Sequence, residues 1–226
     1  NEITKLSDDL KRQTEEMLMD DVDVNTLYYE GRSHNSIYAV RSLGIDPSSG
    51  KEIFLDKDGE PTFEWKPSAK VYMGVSDPLY QGNAGVMFSY KGMTLNLSFG
   101  FHWGGKQYNS TLLDKVEVTP STIKTGNVDN RVWSDRWMQE GDEVYFKGIS
   151  NEKTRMTSRF VMPDNVFSLQ SAREQYDTPY LQKWGIQNMR FSLNMSDLFY
   201  LSSVKRERGT SYPFARNVGL NISLLF

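Results

Sequence analysis

The chain offers little reactive chemistry. Its two histidines, His34 and His102, are far apart in sequence, and cysteine is absent. A nucleophilic triad or a two-histidine metal site would need both histidines in one place. Without cysteine there is neither a thiolate site nor a disulfide framework. Carboxylates are plentiful but fall in stretches that read as solvated turns, which gives no paired acid and base of the glycosidase kind. Asp20, Asp21 and Asp23 lack the glycine and ligand spacing of an EF-type calcium loop, so a solvated acidic run is expected there. Gly104-Gly105 lacks the glycine spacing and the lysine of a phosphate loop. These residues predict no enzyme, no metal and no cofactor.

One cluster suits recognition. Trp133, Asp135, Arg136 and Trp137 fall in a long stretch, 104–165, with little regular patterning. Aromatic faces beside charged hydrogen-bonding groups are what sugar or peptide sites use, and loops this long usually carry function. Packing the loop or meeting a partner protein is the commoner use of such residues. A short helix over 130–141, ended by Gly141, is the expected local structure.

The elements that must position such groups are strands. Met93, Leu95, Leu97, Phe99, Phe101 and Trp103 alternate with Thr94, Asn96, Ser98, Gly100 and His102. A Lys91-Gly92 turn joins them to Ala84, Val86, Phe88 and Tyr90. Met189, Phe191, Leu193 and Met195 alternate with Arg190, Ser192, Asn194 and Ser196. At the end of the chain Val218, Leu220, Ile222, Leu224 and Phe226 repeat the pattern. Period-two alternation marks a strand with one apolar face. A further strand is expected over 166–176, where Phe167 and Leu169 fit but Arg173 and Glu174 break the alternation. A strand of about 11 residues rises roughly 36 Å and, tilted by about 45°, spans about 25 Å, the apolar band of an outer-membrane barrel. Tyr90 and Trp103 end their strands, where interfacial aromatics belong.

Composition agrees. Of 226 residues 38% are hydrophobic, yet 13% are aromatic, which suits strands that bury one face. No run reaches the roughly 20 apolar residues of a membrane helix, whereas barrel strands carry a weaker signal. A net charge of −3 without a basic cluster argues against nucleic acid. The chain opens on Asn1 with no recognisable signal peptide, so a processed precursor or a piece of a longer protein is expected.

Before the barrel-like strands, residues 1–83 predict a loop region with a helix over 3–18, started by Ser7-Asp8-Asp9. A strand-like run over 36–44 follows, then turns at 46–50 and 56–59 flanking a return strand at 51–55. Residues 60–83 read as loop. Residues 84–226 then hold the membrane strands and their loops. Barrels of this kind have short periplasmic turns and longer outer loops. Counting back from Phe226, the connections 204–215, 177–185, 104–165 and 91–92 alternate longer, shorter, very long and minimal. That order puts 1–83 outside.

Five segments in this order are diagnostic as a set: Gly44-Ile-Asp-Pro-Ser-Ser-Gly-Lys-Glu-Ile-Phe54, Tyr90-Lys-Gly-Met-Thr-Leu95, Asp135-Arg-Trp137 with Gly141-Asp142, Thr157-Ser-Arg-Phe160 and Glu207-Arg-Gly-Thr-Ser-Tyr-Pro213. The set resembles the C-terminal part of the SusC/RagA family of TonB-linked outer-membrane transporters of Bacteroidetes. The resemblance implies an all-β fold: the last strands of a large antiparallel transmembrane barrel with a plugged lumen and long extracellular loops. The chain would supply only about the last quarter, without the plug or the TonB-contacting segment. It further implies import of glycan oligosaccharides or peptides without covalent chemistry, a SusD-like lipoprotein lid, and energy from TonB–ExbB–ExbD. Asn96, Ser98, His102, Arg190 and Asn194 would then face the lumen, lining the transport path, touching the plug or serving only as the polar half of each strand. Leu220, Ile222, Leu224 and Phe226 would form the signal that the barrel-assembly machinery reads, with outer-membrane lipid around the barrel. A soluble all-β glycan-binding module of the cell surface is the alternative that the strand pattern leaves open.

Overall fold

The computed structural model describes residues 2–19, 27–178, 185–204 and 216–225. They fall into two compact units, the first drawn from Asn1–Asp77 and Gly105–Pro163, the second from Pro78–Gly104 and Asp164–Phe226.

In the first unit a helix, α1 (Asp8–Met19), starts where Ser7 Oγ accepts from the Leu10 amide at 3.3 Å. Residues 3–7, expected within it, are instead tied to the chain ahead by bonds such as Ile3 N–H to the Arg32 carbonyl. The run expected as one strand over 36–44 divides at Arg41 into β1 (Ser36–Val40) and β2 (Ser42–Ile45). All five residues of β1 are buried, so no polar–apolar alternation marks it. Its partner is β5 (Lys70–Val75), while β2 forms a meander with β3 (Glu52–Leu55) and β4 (Pro61–Thr62). The expected loop 60–83 therefore holds two whole strands and the first four residues of a third. β5 was hidden because its pairing is with a segment some thirty residues upstream, a contact that no local pattern announces.

The stretch 104–165 is also more ordered than expected. α2 (Ser110–Lys115) is capped by Asn109, whose Oδ1 accepts from Leu112 N–H at 3.2 Å, and α3 (Pro120–Thr125) opens on a proline. The helix expected over 130–141 is absent. Only Asn130–Trp133 forms a 3-10 turn, and Asp135 turns left-handed with φ 54°. Apolar packing here comes from Leu112, Val116, Phe146 and Phe160, with smaller groups around Ile37, Ala39 and Met156 and around Val40, Phe54 and Ala69.

The second unit is one antiparallel five-stranded sheet. Its strands are β6 (Tyr80–Tyr90), β7 (Met93–Tyr108), β8 (Val161–Thr178), β9 (Asn188–Ser202) and β10 (Asn217–Leu225), neighbours in that order. Trp103 does not end β7, which runs on to Tyr108, and β6 begins four residues before Ala84. Strands of 15–18 residues far exceed the soluble mode of about 5–6.

Register gives this sheet two chemically distinct sides. Ala84, Val86 and Phe88 face Phe99, Leu97 and Leu95, while Leu220, Ile222 and Leu224 face Leu193, Phe191 and Met189. On the other side Asn83, Gly85 and Ser89 face Gly100, Ser98 and Thr94, and Gly219, Asn221 and Ser223 face Asn194, Ser192 and Arg190. Phe99 stacks on Phe167 at 5.7 Å between ring centres, and Phe167 meets Phe199 at 5.8 Å, which joins the apolar sides of three strands.

The broken pattern of β8 has a mechanical cause. Leu169 faces Phe199 but Ser171 faces Ser196, so two steps on one strand stand against three on the other. Asp197 takes up the extra residue with φ 57°. Before this bulge Phe167 and Leu169 oppose apolar residues; after it Ala172, Glu174 and Tyr176 do, and Arg173 opposes Asn194.

Register also fixes which connections share an end of the sheet. Gly92, Thr178, Asn188 and Leu225 lie together, since Asp177 N–H reaches the Gly92 carbonyl and Leu225 faces Asn188. The chain leaves β7 and β9, and enters β6, at the opposite end, where Tyr80 faces Trp103. Short connections gather at one end and long ones at the other, as the count of loop lengths predicts. Neither β6 nor β10 has a partner on its outer side, and no closed barrel forms among the described residues. No described helix is long and apolar enough to cross a membrane.

Candidate functional site

The first unit assembles three of the five diagnostic segments. Glu52, from the first, meets Arg159, from the fourth, in a two-pronged pair at 2.8 and 2.7 Å. Arg159 also reaches Glu117 at 2.8 Å and donates to the Tyr145 carbonyl at 2.6 Å. Side-chain exposure is 6% for Arg159, 3% for Glu52 and 0% for Glu117. Thr154 Oγ1 and Lys147 N–H complete the ligation of Glu117. Burial alone would raise the Glu117 carboxyl, but the Arg159 charge and these hydrogen bonds hold it below the ordinary glutamate value. Burial likewise opposes charge on Arg159, and its two carboxylate partners outweigh that and raise it. Burial pulls the Lys147 ammonium down against the attraction of Glu117.

The recognition cluster divides in the structure. Arg136 is buried, with Nε donating to the Val132 carbonyl at 2.7 Å, Nη1 to that of Lys147 at 2.8 Å and Nη2 to that of Val116. Every nitrogen of its guanidinium thus binds a main-chain carbonyl, a packing role. Asp135 ties the loop by accepting from Tyr145 N–H. Trp137 donates its indole N–H to the Pro47 carbonyl at 2.8 Å and lays its ring over Gly50, so the third segment packs on the first. Its ring still lines a cleft of about 1270 Å³ with Phe63, Trp65, Lys51 and Arg155. The Arg155 guanidinium lies 5.2 Å from the Trp65 ring centre. Trp133 alone of the four stands free at the surface, 65% exposed.

In the second unit Asn96, Ser98, His102, Arg190 and Asn194 occupy one side of the sheet, as the register above places them. Asn96, Ser98 and Asn194 line a shared groove. His102 Nε2 lies 3.3 Å from Asp164 Oδ2. Arg190 binds Asp177 at 2.6 Å. Leu220, Ile222 and Leu224 project from the opposite side of β10; Phe226 lies outside the described residues, as do Asp20, Asp21, Asp23 and the fifth segment, 207–213. No cluster of metal-ligating side chains occurs among the described residues.

Sequence reasoning did not single out Glu52, Glu117 or Arg159. Glu52 and Arg159 lie inside the diagnostic segments, but their union across more than a hundred positions has no local signal.

No protein-family model matches the chain, and no curated protein matches it. Solved structures do. A chain of the RagAB peptide importer in its open-open state matches with a TM-score of 0.71 and 18% identity, over 90% of this chain and 24% of that one. The closed-closed state of the same importer matches at 0.67 and 18%, over 88% and 24%. A further RagAB peptide transporter structure matches at 0.63 and 18%, over 80% and 20%. This all-β fold is that of about a quarter of an importer chain.

Proposed function

We propose that these residues form the C-terminal membrane strands and outer loops of a TonB-dependent outer-membrane importer of oligomeric nutrients. The observation that carries this reading is the two-sided register of five long strands whose outer edges both stay open among the described residues. An exposed apolar side this large is a liability in water, and open strand edges invite aggregation. In a lipid-embedded barrel the apolar side meets hydrocarbon and each edge is bonded to a further strand. From Tyr80 to Tyr90 the chain rises about 33 Å, and a tilt of about 45° brings the two aromatic ends to about 23 Å apart in depth, one apolar band. Glu174 is the charged exception on the apolar side among the described residues, four residues from the short-connection end of β8, where a charge costs less than at the midplane.

The short connections would face the periplasm, and the first unit would belong to the extracellular loops. Its cleft and Trp133 would then meet glycan or peptide cargo, or a SusD-like lipoprotein lid. TonB–ExbB–ExbD would drive a plug supplied by other residues. The barrel-assembly machinery would read Leu220, Ile222, Leu224 and Phe226. Transport of this kind needs no covalent chemistry and no cofactor. Likeness to RagAB chains supports the fold and makes nutrient import the natural function. The test is extraction of the full-length protein from its cells. Release only with detergent, with a folded form that migrates differently on gels once boiled, supports the reading. A protein that is monomeric and soluble in plain buffer favours the glycan-binding module instead.

A further inference from the structure

We propose that the polar side of the second unit carries an anion site centred on Arg173, and that its ligand is a carboxylate of the imported cargo; this rests on the importer reading above. Two arginines stand in register on this side. Arg190 faces Asp177 and bonds both its oxygens, at 2.6 and 3.2 Å, so its charge is neutralised within the sheet. Arg173 faces the neutral Asn194. Its Nε donates to Asn194 Oδ1 at 2.6 Å, and no carboxylate pairs with it among the described residues. That bond orients the planar guanidinium and leaves both terminal nitrogens for a second acceptor.

The surroundings select the sign of that acceptor. Arg173 lies in a groove of about 820 Å³ whose polar lining includes Asn96, Ser98, Ser171, Asn194 and Asn217, with apolar residues such as Met87 and Leu97 between them and no aspartate or glutamate. One unpaired guanidinium among amides and hydroxyls repels cations and offers a carboxylate two parallel charge-assisted bonds, with neutral donors for its remaining lone pairs. The bulge makes this possible. Without the shift between Leu169 and Ser171, Arg173 would oppose Met195 rather than Asn194.

The test uses the full-length protein in detergent, titrated with end-capped hexaglutamate and hexaglutamine. Hexaglutamate is expected to bind more tightly than hexaglutamine and to lose affinity as salt rises. Arg173→Gln should weaken hexaglutamate binding about tenfold or more while leaving hexaglutamine unchanged, and Arg173→Lys should restore part of the loss. Equal binding of the two peptides, no hexaglutamate binding, or unchanged binding by an assembled Arg173→Gln barrel overturns the site. If that variant binds normally but melts lower, the carboxylate belongs to the protein's own chain and the cargo assignment is overturned. Solubility without detergent would instead remove the importer reading itself.

Discussion

At the scale of single residues, Arg159 holds the first unit together. Two buried carboxylates converge on it from β3 and from Glu117, and neither reaches water. Replacing Arg159 with Met leaves both charges buried without their partner, so the unit should lose about 3–5 kcal/mol. Hydrogen exchange at the Phe146 and Phe160 amides would report the loss; unchanged protection would contradict this role. The same geometry predicts acid sensitivity. Glu117 in the folded chain titrates below its ordinary value of 4.5. Its contribution is therefore present above about pH 4.5 and disappears as pH falls through the lower folded value. Unfolding followed against pH should show a loss that Glu117→Gln reduces. Trp133 and Trp137 should behave oppositely on substitution by Ala. The exposed Trp133 should shift stability by no more than about 0.5 kcal/mol. Loss of the Trp137 ring opens the contact on Gly50 and should cost about 3 kcal/mol. Only the Trp133 variant can then report on cargo capture without a folding defect, and a thermal melt of both separates the cases.

At the scale of elements, the Lys91-Gly92 turn sets the register of the β6–β7 hairpin. Both residues have positive φ, 45° and 81°, as a two-residue turn matching strand twist requires. Gly92 has a further constraint, because a Cβ there would lie 2.8 Å from the Asp177 carbonyl oxygen. Gly92→Val should lower the folded yield, while Lys91→Asn, which tolerates the left-handed conformation, should keep it. Comparing the heat-shifted gel bands of the two variants checks this. The turn and register of this hairpin were legible in the sequence, since turn chemistry and alternation both act between near neighbours, but both strands run further from the turn than the alternation marked. β8 was half legible: its bulge depends on how β9 accommodates Asp197, which the residues of β8 do not encode. The loop unit was least legible. β1 is buried on both sides, β5 finds its partner far away, and the four recognition candidates differ in burial through contacts with Pro47, Gly50 and Val116. Three of the five segments nonetheless pack together, the third and the fourth both on the first.

At the scale of the whole molecule, the central claim is that one side of the five-stranded sheet faces lipid. This chain holds no cysteine, so within it a label goes only where a cysteine is introduced. Single cysteines at Leu95, Asn96, Leu97, Ser98 and Phe99 can each carry a small fluorophore in the full-length protein, reconstituted into vesicles. Brominated lipid quenches a probe in hydrocarbon, and iodide quenches one in water. The account predicts strict alternation: positions 95, 97 and 99 quenched by brominated lipid, 96 and 98 by iodide. Iodide quenching at all five positions, with none by lipid, would contradict it.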